Sequence, residues 1–505
     1  MRMTAAKKEL KLMSKFTVKR WRQIGAAMSV CALSACTVGP DFKRPDPPAA
    51  EKYTFGPQPS QTAGGDGALG GAQQFSAQRD IPAEWWALFK SDDLNALIAR
   101  ALANSPTVAA SQARVRYMVE VLSTQTGVTQ YPQVDANIGA NRQKISLAAF
   151  GFDAPGKTFS LYSASIGVSY VFDWFGGTRR ELEALRADVD VESYRLLAAR
   201  LTLSANVATA AIQIAELNAR VAAMQEIVGL QEQQLSLIQR QVKSGVASLP
   251  DVVAQRAEIA QTRGALLMLE KARAKAQHQL AILLGDLPGN AALPDFKLDA
   301  LTLPLDLPLS APSELAHQRP DILAAESVLH RATAKIGVAA SRLYPQLTLS
   351  ARYGHMGRDS DLPNSANSIW SVGGSLLQPL FHGGAGQANK RAAVAAYDQA
   401  WAEYRQTVLA AFQNVADVLQ ALEIDARAVQ TQMEAESLAR ESLRMTQKQY
   451  ELGAVAYPPL LTSQRALQTA LLNLAQARAM RLADTAALFQ ALGGGWWNGG
   501  ERPAR

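Results

Sequence analysis

The sequence predicts a mainly helical protein with a small β part, in which two internal repeats each join a long helical hairpin to a pair of membrane-type strands. Three observations carry that fold class. Between Thr178 and Lys243, the residues Leu203, Val207, Ala210, Ile214, Leu217, Val221, Met224, Val228, Leu235, Ile238 and Val242 follow one alternating four-and-three spacing, interrupted only by Gln231. Upstream of that stretch the apolar period changes to two. The same landmarks then return in the second half of the chain.

Apolar residues every 3.5 positions make a narrow seam, and a seam of this length argues a left-handed supercoil. At about 1.5 Å per residue the helix is roughly 100 Å long, against a mean helix of about 11 residues. Gly245 ends it, as a residue tolerant of the left-handed C′ position does. Ser248-Leu249-Pro250-Asp251 opens a returning helix, with capping-box spacing and a proline in the first turn. The pair is a very long hairpin, for which most enzymes have no use.

The chain carries 51 Lys/Arg against 44 Asp/Glu, a formal charge of +7. Eight of the bases and one of the acids lie in the first 35 residues, so 43 bases face 43 acids from residue 36 onward. A neutral body leaves no electrostatic footprint for DNA or RNA. The basic leader runs into a short apolar stretch from Ile24 to Ala35, the layout of a secretory signal and too short to span a bilayer as a mature helix. Leu33-Ser34-Ala35-Cys36 has the form of a bacterial lipobox, with cleavage before Cys36 and lipid on its thiol. Cys31 leaves with the signal, so one cysteine remains and no intrachain disulfide forms. Thr37, rather than Asp, follows Cys36, which favours the outer membrane.

In order along the mature chain, the Pro-, Gly- and Ala-rich stretch from Thr37 to Ser91 reads as an extended strap. Trp85-Trp86-Ala-Leu-Phe89 introduces a helix from Leu94 to about Gln125, and the paired tryptophans read as packing residues. Val134, Ala136, Ile138 and Ala140, then Tyr162, Ala164, Ile166, Val168, Tyr170 and Phe172, alternate with small or polar neighbours. That is the period of two strands with one apolar face, and the aromatic ends suit a lipid-facing barrel strand. Between them, Gly151 to Thr158 matches the P-loop pattern letter for letter. The match is spurious: phosphate cradling needs a helix after the loop, and the period here gives a strand from Phe159 on. No nucleotide or metal site is expected. The five histidines (His278, His317, His330, His355 and His382) are scattered without ligand spacing, and no nucleophile motif supports an enzyme.

The repeat aligns Pro106 and Tyr131-Pro132-Gln133 with Pro320 and Tyr344-Pro345-Gln346, and Phe175-Gly176-Gly177 with Phe381-His382-Gly383-Gly384. Gly245, Pro250 and Gly285 align with Gly453, Pro458 and Gly493. Taken on the glycines and prolines, the offset runs from 207 to 214. Two copies of one supersecondary unit follow. Expected boundaries are a signal peptide (1–35), a lipidated strap (36–92), a first repeat (93–290), a proline-rich connector (291–312), a second repeat (313–495) and a tail (496–505). Four strands cannot close a barrel, for which about eight are needed, and open edges are not viable in lipid. Several chains must therefore share one barrel; the physics leaves their number open.

In these features the chain resembles the outer-membrane factor family of tripartite efflux pumps, the TolC/OprM/NodT type, over nearly all of its mature length. The resemblance rests on Cys36-Thr-Val-Gly-Pro-Asp-Phe, Trp85-Trp86-Ala-Leu-Phe, Ser313-Glu-Leu-Ala-His-Gln-Arg319-Pro320-Asp321-Ile322, the two Tyr-Pro-Gln runs and Phe381-His-Gly-Gly. It implies a homotrimer with a shared β-barrel in outer-membrane lipid and a periplasmic tunnel of coiled helices in a Gram-negative cell. It also implies docking on a periplasmic adaptor and on a proton-driven inner-membrane pump of the resistance-nodulation-division type. Drugs or other small toxic compounds would pass through unchanged, and no cofactor is implied beyond the lipid on Cys36. Two other readings stand beside it: the exit duct of a type I polypeptide secretion system, and a structural envelope lipoprotein.

By the same resemblance, the hairpin tips form the periplasmic entrance and meet the adaptor, through Gly245, Ser248 and Asp251 in one copy and Gly453, Tyr457 and Thr462 in the other. Thr462 stands where an acid is often found, and Pro459 is unusual. An electrostatic latch at that level is therefore not expected, and Tyr457 is the candidate to close the entrance sterically instead.

Overall fold

Helices of 67 residues, one in each half of the chain, dominate the structure, which is a computed structural model. It describes residues 37–499 except 51, 57–59, 66, 68, 77–78, 147, 149–150, 152–155, 246 and 359–367. The expected signal peptide, Cys36 and the end of the tail lie outside the described residues. In chain order the elements are β1 (Gln74–Ser76), α1 (Asp92–Asn104), α2 (Pro106–Gln130), β2 (Gln133–Ile145), β3 (Lys157–Phe172), α3 (Gly177–Lys243) and α4 (Leu249–Leu283). There follow β4 (Asp306–Pro308), α5 (Pro312–Gln318), α6 (Pro320–Ser341), β5 (Gln346–Gly357), β6 (Ser368–Leu377), α7 (Ala385–Glu451) and α8 (Tyr457–Ala491). The lengths recur: α3 and α7 have 67 residues each, α4 and α8 have 35 each.

Three expectations are corrected. The helix expected from Leu94 to Gln125 is two helices, α1 and α2, broken at Ser105. Pro106 lacks an N–H and disfavours helical backbone in the residue before it, and Ser105 is extended (ψ 121°). Arg319 before Pro320 is extended in the same way between α5 and α6. The strands are longer than their apolar alternation, because β2 and β3 stay paired out to Ile145 and Lys157 through polar residues. The strap and connector also contain strands, β1 and β4, which pair in parallel over three residues each. Segments that short carry no readable period.

The chain forms two units. One comprises residues up to Arg44, Arg116–Val189 and Glu326–Glu403; the other comprises Pro45–Val115, Asp190–Ala325 and everything from Tyr404 on. The first holds the antiparallel sheet β2-β3-β5-β6. The second holds the main apolar core. There the seam residues Val207, Ile214, Val221 and Met224 of α3 are buried, and Trp85 stacks on Phe489 at 5.4 Å with no exposure. The paired tryptophans do pack.

A fully buried guanidinium organises the strap of this second unit. Arg481 of α8 donates to the carbonyls of Leu69 and Gly71 at 2.8 Å and reaches the Thr62 hydroxyl at 3.3 Å and the Gln73 side chain at 3.4 Å. Gln73 in turn donates to Thr485 at 3.0 Å. Burial lowers the pKa of Arg481, and Asp425 partly offsets it. The strap is thus held by a cation with all three nitrogens bonded to neutral oxygens, which offsets part of the cost of burying it.

Asp425 of α7 faces Asp484 of α8, and burial together with that second carboxyl raises Asp425 to about 7, against the pull of Arg481. A carboxyl raised in the folded state contributes stability at acid pH and loses it as the unfolded chain ionises. Thermal stability should therefore fall between about pH 4 and pH 7, the window between the ordinary carboxylate value and the raised one. Asp425→Asn should flatten that slope, as read from unfolding temperatures across the range.

Candidate functional site

The registers of the sheet put whole rows of like residues on one face. Val134 pairs with Val168, which pairs with Ala351, which pairs with Val372. The next row is Ala136, Ile166, Tyr353 and Trp370. Ile138 at 87% and Trp370 at 76% are among the exposed apolar side chains of this face. The opposite face carries Asp135, Gly167, Arg352 and Ser371 in one row, and Asn137, Ser165, Gly354 and Ile369 in another. A sheet whose apolar face is left exposed, with polar residues on the other face, departs from the soluble pattern, in which the apolar face is buried. The P-loop match resolves here too: Lys157 and Thr158 open β3, paired with Ile145 and Lys144, so a strand stands where a phosphate cradle needs a helix.

The residues after Cys36 dock within this first unit. Val38 donates to the Phe175 carbonyl at 3.1 Å. Gly39 has φ +106°, and a Cβ there would sit 2.4 Å from the Gly337 Cα, so the close approach requires glycine. Asp41 pairs with the buried Arg180, which also holds Glu183 at 2.8 Å. Phe42 stacks on His330 at 4.3 Å, and His330 meets Glu183 at 2.9 Å. The Gly, Asp and Phe of the run that follows Cys36 thus each have a structural partner.

The two hairpin tips lie in the second unit and are built alike. Gly245 (φ +80°) ends α3 and Gly453 (φ +71°) ends α7. Ala247 and Ala454 donate back to the carbonyls of Gln241 and Gln449 at 3.2 and 2.8 Å, satisfying the last turns. They differ in how the next helix starts. The Ser248 N–H and hydroxyl both donate to Asp251, at 3.1 and 2.7 Å. The second tip has Ala456 at this place, with no side-chain cap, and its helix opens Tyr457-Pro458-Pro459. Prolines cost little there, since first-turn N–H groups have no intrahelical partner. This accounts for the unusual Pro459.

Between the tips, Ile238, Val252, Tyr450, Tyr457 and Leu460 form a small apolar cluster drawn from all four long helices. Tyr457 is only 4% exposed. It packs edge-on against Tyr450 at 6.2 Å, and its hydroxyl donates to the Gln255 side chain. The expectation that Tyr457 closes an entrance sterically is therefore corrected: the apolar ring is buried inside the chain and does not project. Burial raises its pKa above the usual tyrosine value, with Glu258 adding to the effect, so the phenol keeps its proton and donates. Gln255 passes the link on, donating to the Gln231 carbonyl at 2.8 Å. One relay thus joins α8, α4 and α3.

One turn further along α4, Glu258 forms a two-point ion pair with Arg465 of α8, at 3.0 Å between Nε and Oε1. Glu258 is nearly buried and Arg465 is half exposed. The structure does not bring Thr462 into this clasp: it is exposed and donates to the Pro458 carbonyl at 3.1 Å. Gln255 and Glu258 were missed in the sequence because they are polar. The signal was present, since Val252, Gln255, Ile259 and Thr262 keep the three-and-four spacing of a seam. Gln231, the interruption in the α3 seam, is likewise buried.

Known proteins bear on this geometry. The model of the outer membrane efflux protein family matches residues 97–286 and 311–494. The pyoverdine export outer membrane protein OpmQ of Pseudomonas putida is 30% identical over 422 residues, covering 82% of this chain and 88% of that one. The toluene efflux pump outer membrane protein TtgC of Pseudomonas putida is 28% identical over 483 residues, covering 94% and 96%. The solved outer-membrane channel OprN superposes with a TM-score of 0.80 at 26% identity, covering 91% of this chain and all of that one.

The relay predicts a specific cost at the tip. Tyr457→Phe leaves the Gln255 oxygen buried and unpaired and should destabilise the tip by about 1–3 kcal/mol, seen as faster amide exchange across 449–465. Asp251→Ala removes a cap and should cost about 1 kcal/mol. Equal exchange in wild type and Tyr457→Phe would show that the relay carries no stability.

Proposed function

This chain belongs to the outer membrane efflux protein family, and we propose that it is the exit duct of a tripartite pump of the resistance-nodulation-division type, passing drugs or other small toxic compounds from the periplasm to the outside. It is an outer-membrane protein of a Gram-negative envelope and not an enzyme. The sheet is the observation that carries the duct reading. One face is apolar yet exposed, the other is mostly polar, and β2 and β6 are the edges of the sheet among the described residues. Unpaired edges are not tolerated in hydrocarbon, so the reading is a homotrimer in which β2 of one copy pairs with β6 of the next and closes one barrel. Tyr162 and Phe172 lie ten positions apart on β3. That is about 34 Å along a strand, or about 26 Å across the membrane at a 40° tilt, close to the apolar band of about 25 Å expected of outer-membrane barrels.

The arm supports lipidation of Cys36. Its neighbour Thr37 lies against Gly176, beside Phe172, Trp174 and Phe175 at the helical end of the sheet. A lipid attached one residue earlier would enter the bilayer at that aromatic level, and no other cofactor is needed. The tips support an adaptor contact, since Leu249, Val253 and Leu452 are exposed apolar residues there. Within this reading the Tyr457–Gln255 relay and the Glu258–Arg465 pair hold the periplasmic entrance narrow, in place of a latch at Thr462. The pump, rather than the passage, sets the cargo: relatives named for pyoverdine and for toluene both resemble this chain over most of its length.

Detergent-purified protein should scatter light as a trimer and give discrete conductance steps in a planar bilayer. A monomer giving no steps would remove the duct. Glu258→Gln should raise single-channel conductance and sensitise cells to vancomycin; unchanged values would remove the clasp as a gate. Cys36→Ala should abolish labelling with radioactive palmitate, and persistent label would place the lipid elsewhere.

A further inference from the structure

The outward face of β2 changes chemistry toward the β2–β3 loop. Val134, Ala136, Ile138 and Ala140 share one face, and the next two positions on that face are Arg142 and Lys144. Their cross-strand partners are Ser160 and Thr158, one and two rows beyond the Ala140–Tyr162 pair. Both basic residues are exposed. Neither has an ion-pair partner among the described residues, and the strand's carboxylate, Asp135, points to the opposite face. Lys157 and Arg352 are also on that opposite face, so the cations that could meet cargo in a lumen are a separate set.

We propose that Arg142 and Lys144, flanked by the Ser160 and Thr158 hydroxyls, form a docking strip for the phosphates of the anionic glycolipid that makes up the outer leaflet. The strip rests on the barrel reading, which puts the helical ends in the periplasm and the β2–β3 loop outside. Two and four residues past the Tyr162 row correspond to about 7 and 14 Å along the strand, or about 5 and 10 Å further along the membrane normal at the usual tilt. Charged residues on a lipid face are expensive at mid-membrane but nearly free at its boundary. This placement therefore puts both cations at the depth of headgroup phosphates, beyond the hydrocarbon. Simple snorkelling toward water would explain the position equally well, but it predicts no preference for phosphate. The two hydroxyls beside the cations add neutral donors that an anion uses and water-seeking side chains do not need.

The test is native mass spectrometry of the detergent-solubilised full chain with bis-phosphorylated lipid A, dephosphorylated lipid A and inorganic phosphate as separate probes. The phosphorylated lipid should bind most tightly, with Arg142→Gln and Lys144→Gln each weakening it about five-fold. The dephosphorylated lipid should bind all proteins equally, and free phosphate should not compete at millimolar levels. High salt should weaken wild-type binding of the phosphorylated form, since exposed charges are screened. This arm needs no variant to fold. Equal binding of the two lipids, or variants that bind as wild type does, would overturn the strip, as would full competition by free phosphate. Single-channel steps recorded on the same samples keep the two readings apart: steps without phosphate preference sink the strip alone, whereas absent steps sink the barrel beneath it.

Discussion

The apolar seam of α3 is the interaction on which the rest depends. A 67-residue helix is not held by propensity, since most helical stability in proteins comes from packing of a face. Here the packed face is narrow and continuous, from Leu203 through Val207, Ile214, Val221 and Met224 to Ile238, all buried. The seven-residue repeat that keeps those positions on one line also forces the partner helices to run alongside. The equal lengths of α3 and α7, and of α4 and α8, repeat one unit in the two halves of the chain.

Near the tips the seam changes character. Gln231, Gln234, Gln255, Glu258, Thr262, Ser463 and Gln464 are all buried there. The side-chain amide of Gln231 finds no partner among the described residues, a penalty that a leucine at that place would avoid. What holds this end is a tyrosine hydroxyl, a glutamine relay and one carboxylate–guanidinium pair, acting over a five-residue apolar cluster. Contacts of that kind are directional and individually modest, so this part of the molecule sits at the low end of local stability. The strap further along, by contrast, is fixed by a buried arginine whose three side-chain nitrogens are all bonded.

The sheet imposes the other constraint. Its registers align apolar rows on one face and mostly polar rows on the other, leaving β2 and β6 as edges among the described residues. In water such a sheet would expose Val134, Ile138, Trp370 and Val372 at a large cost; in lipid it would strand the edges. Only association of chains relieves both, and the short Gly39–Gly337 contact shows the arm after Cys36 fitted to the same unit.

Period and punctuation in the sequence determined the helices, the strands, the repeat and the tip glycines by themselves, since each is a local property of a few neighbouring residues. Seam positions are spaced by helix geometry, Gly245 and Gly453 by the left-handed backbone, and Ser248–Asp251 by one helical turn. The break at Pro106 was equally local and was overlooked only because the apolar spacing runs through it. Tertiary structure alone decided the polar partnerships. Tyr457 meets Gln255 across 202 positions, Arg465 meets Glu258 across 207, and Arg481 meets the strap across more than 400. A hydrogen bond or ion pair leaves no period in sequence. Its existence depends on two side chains arriving at the same place from distant segments, and only the packed helices fix that meeting.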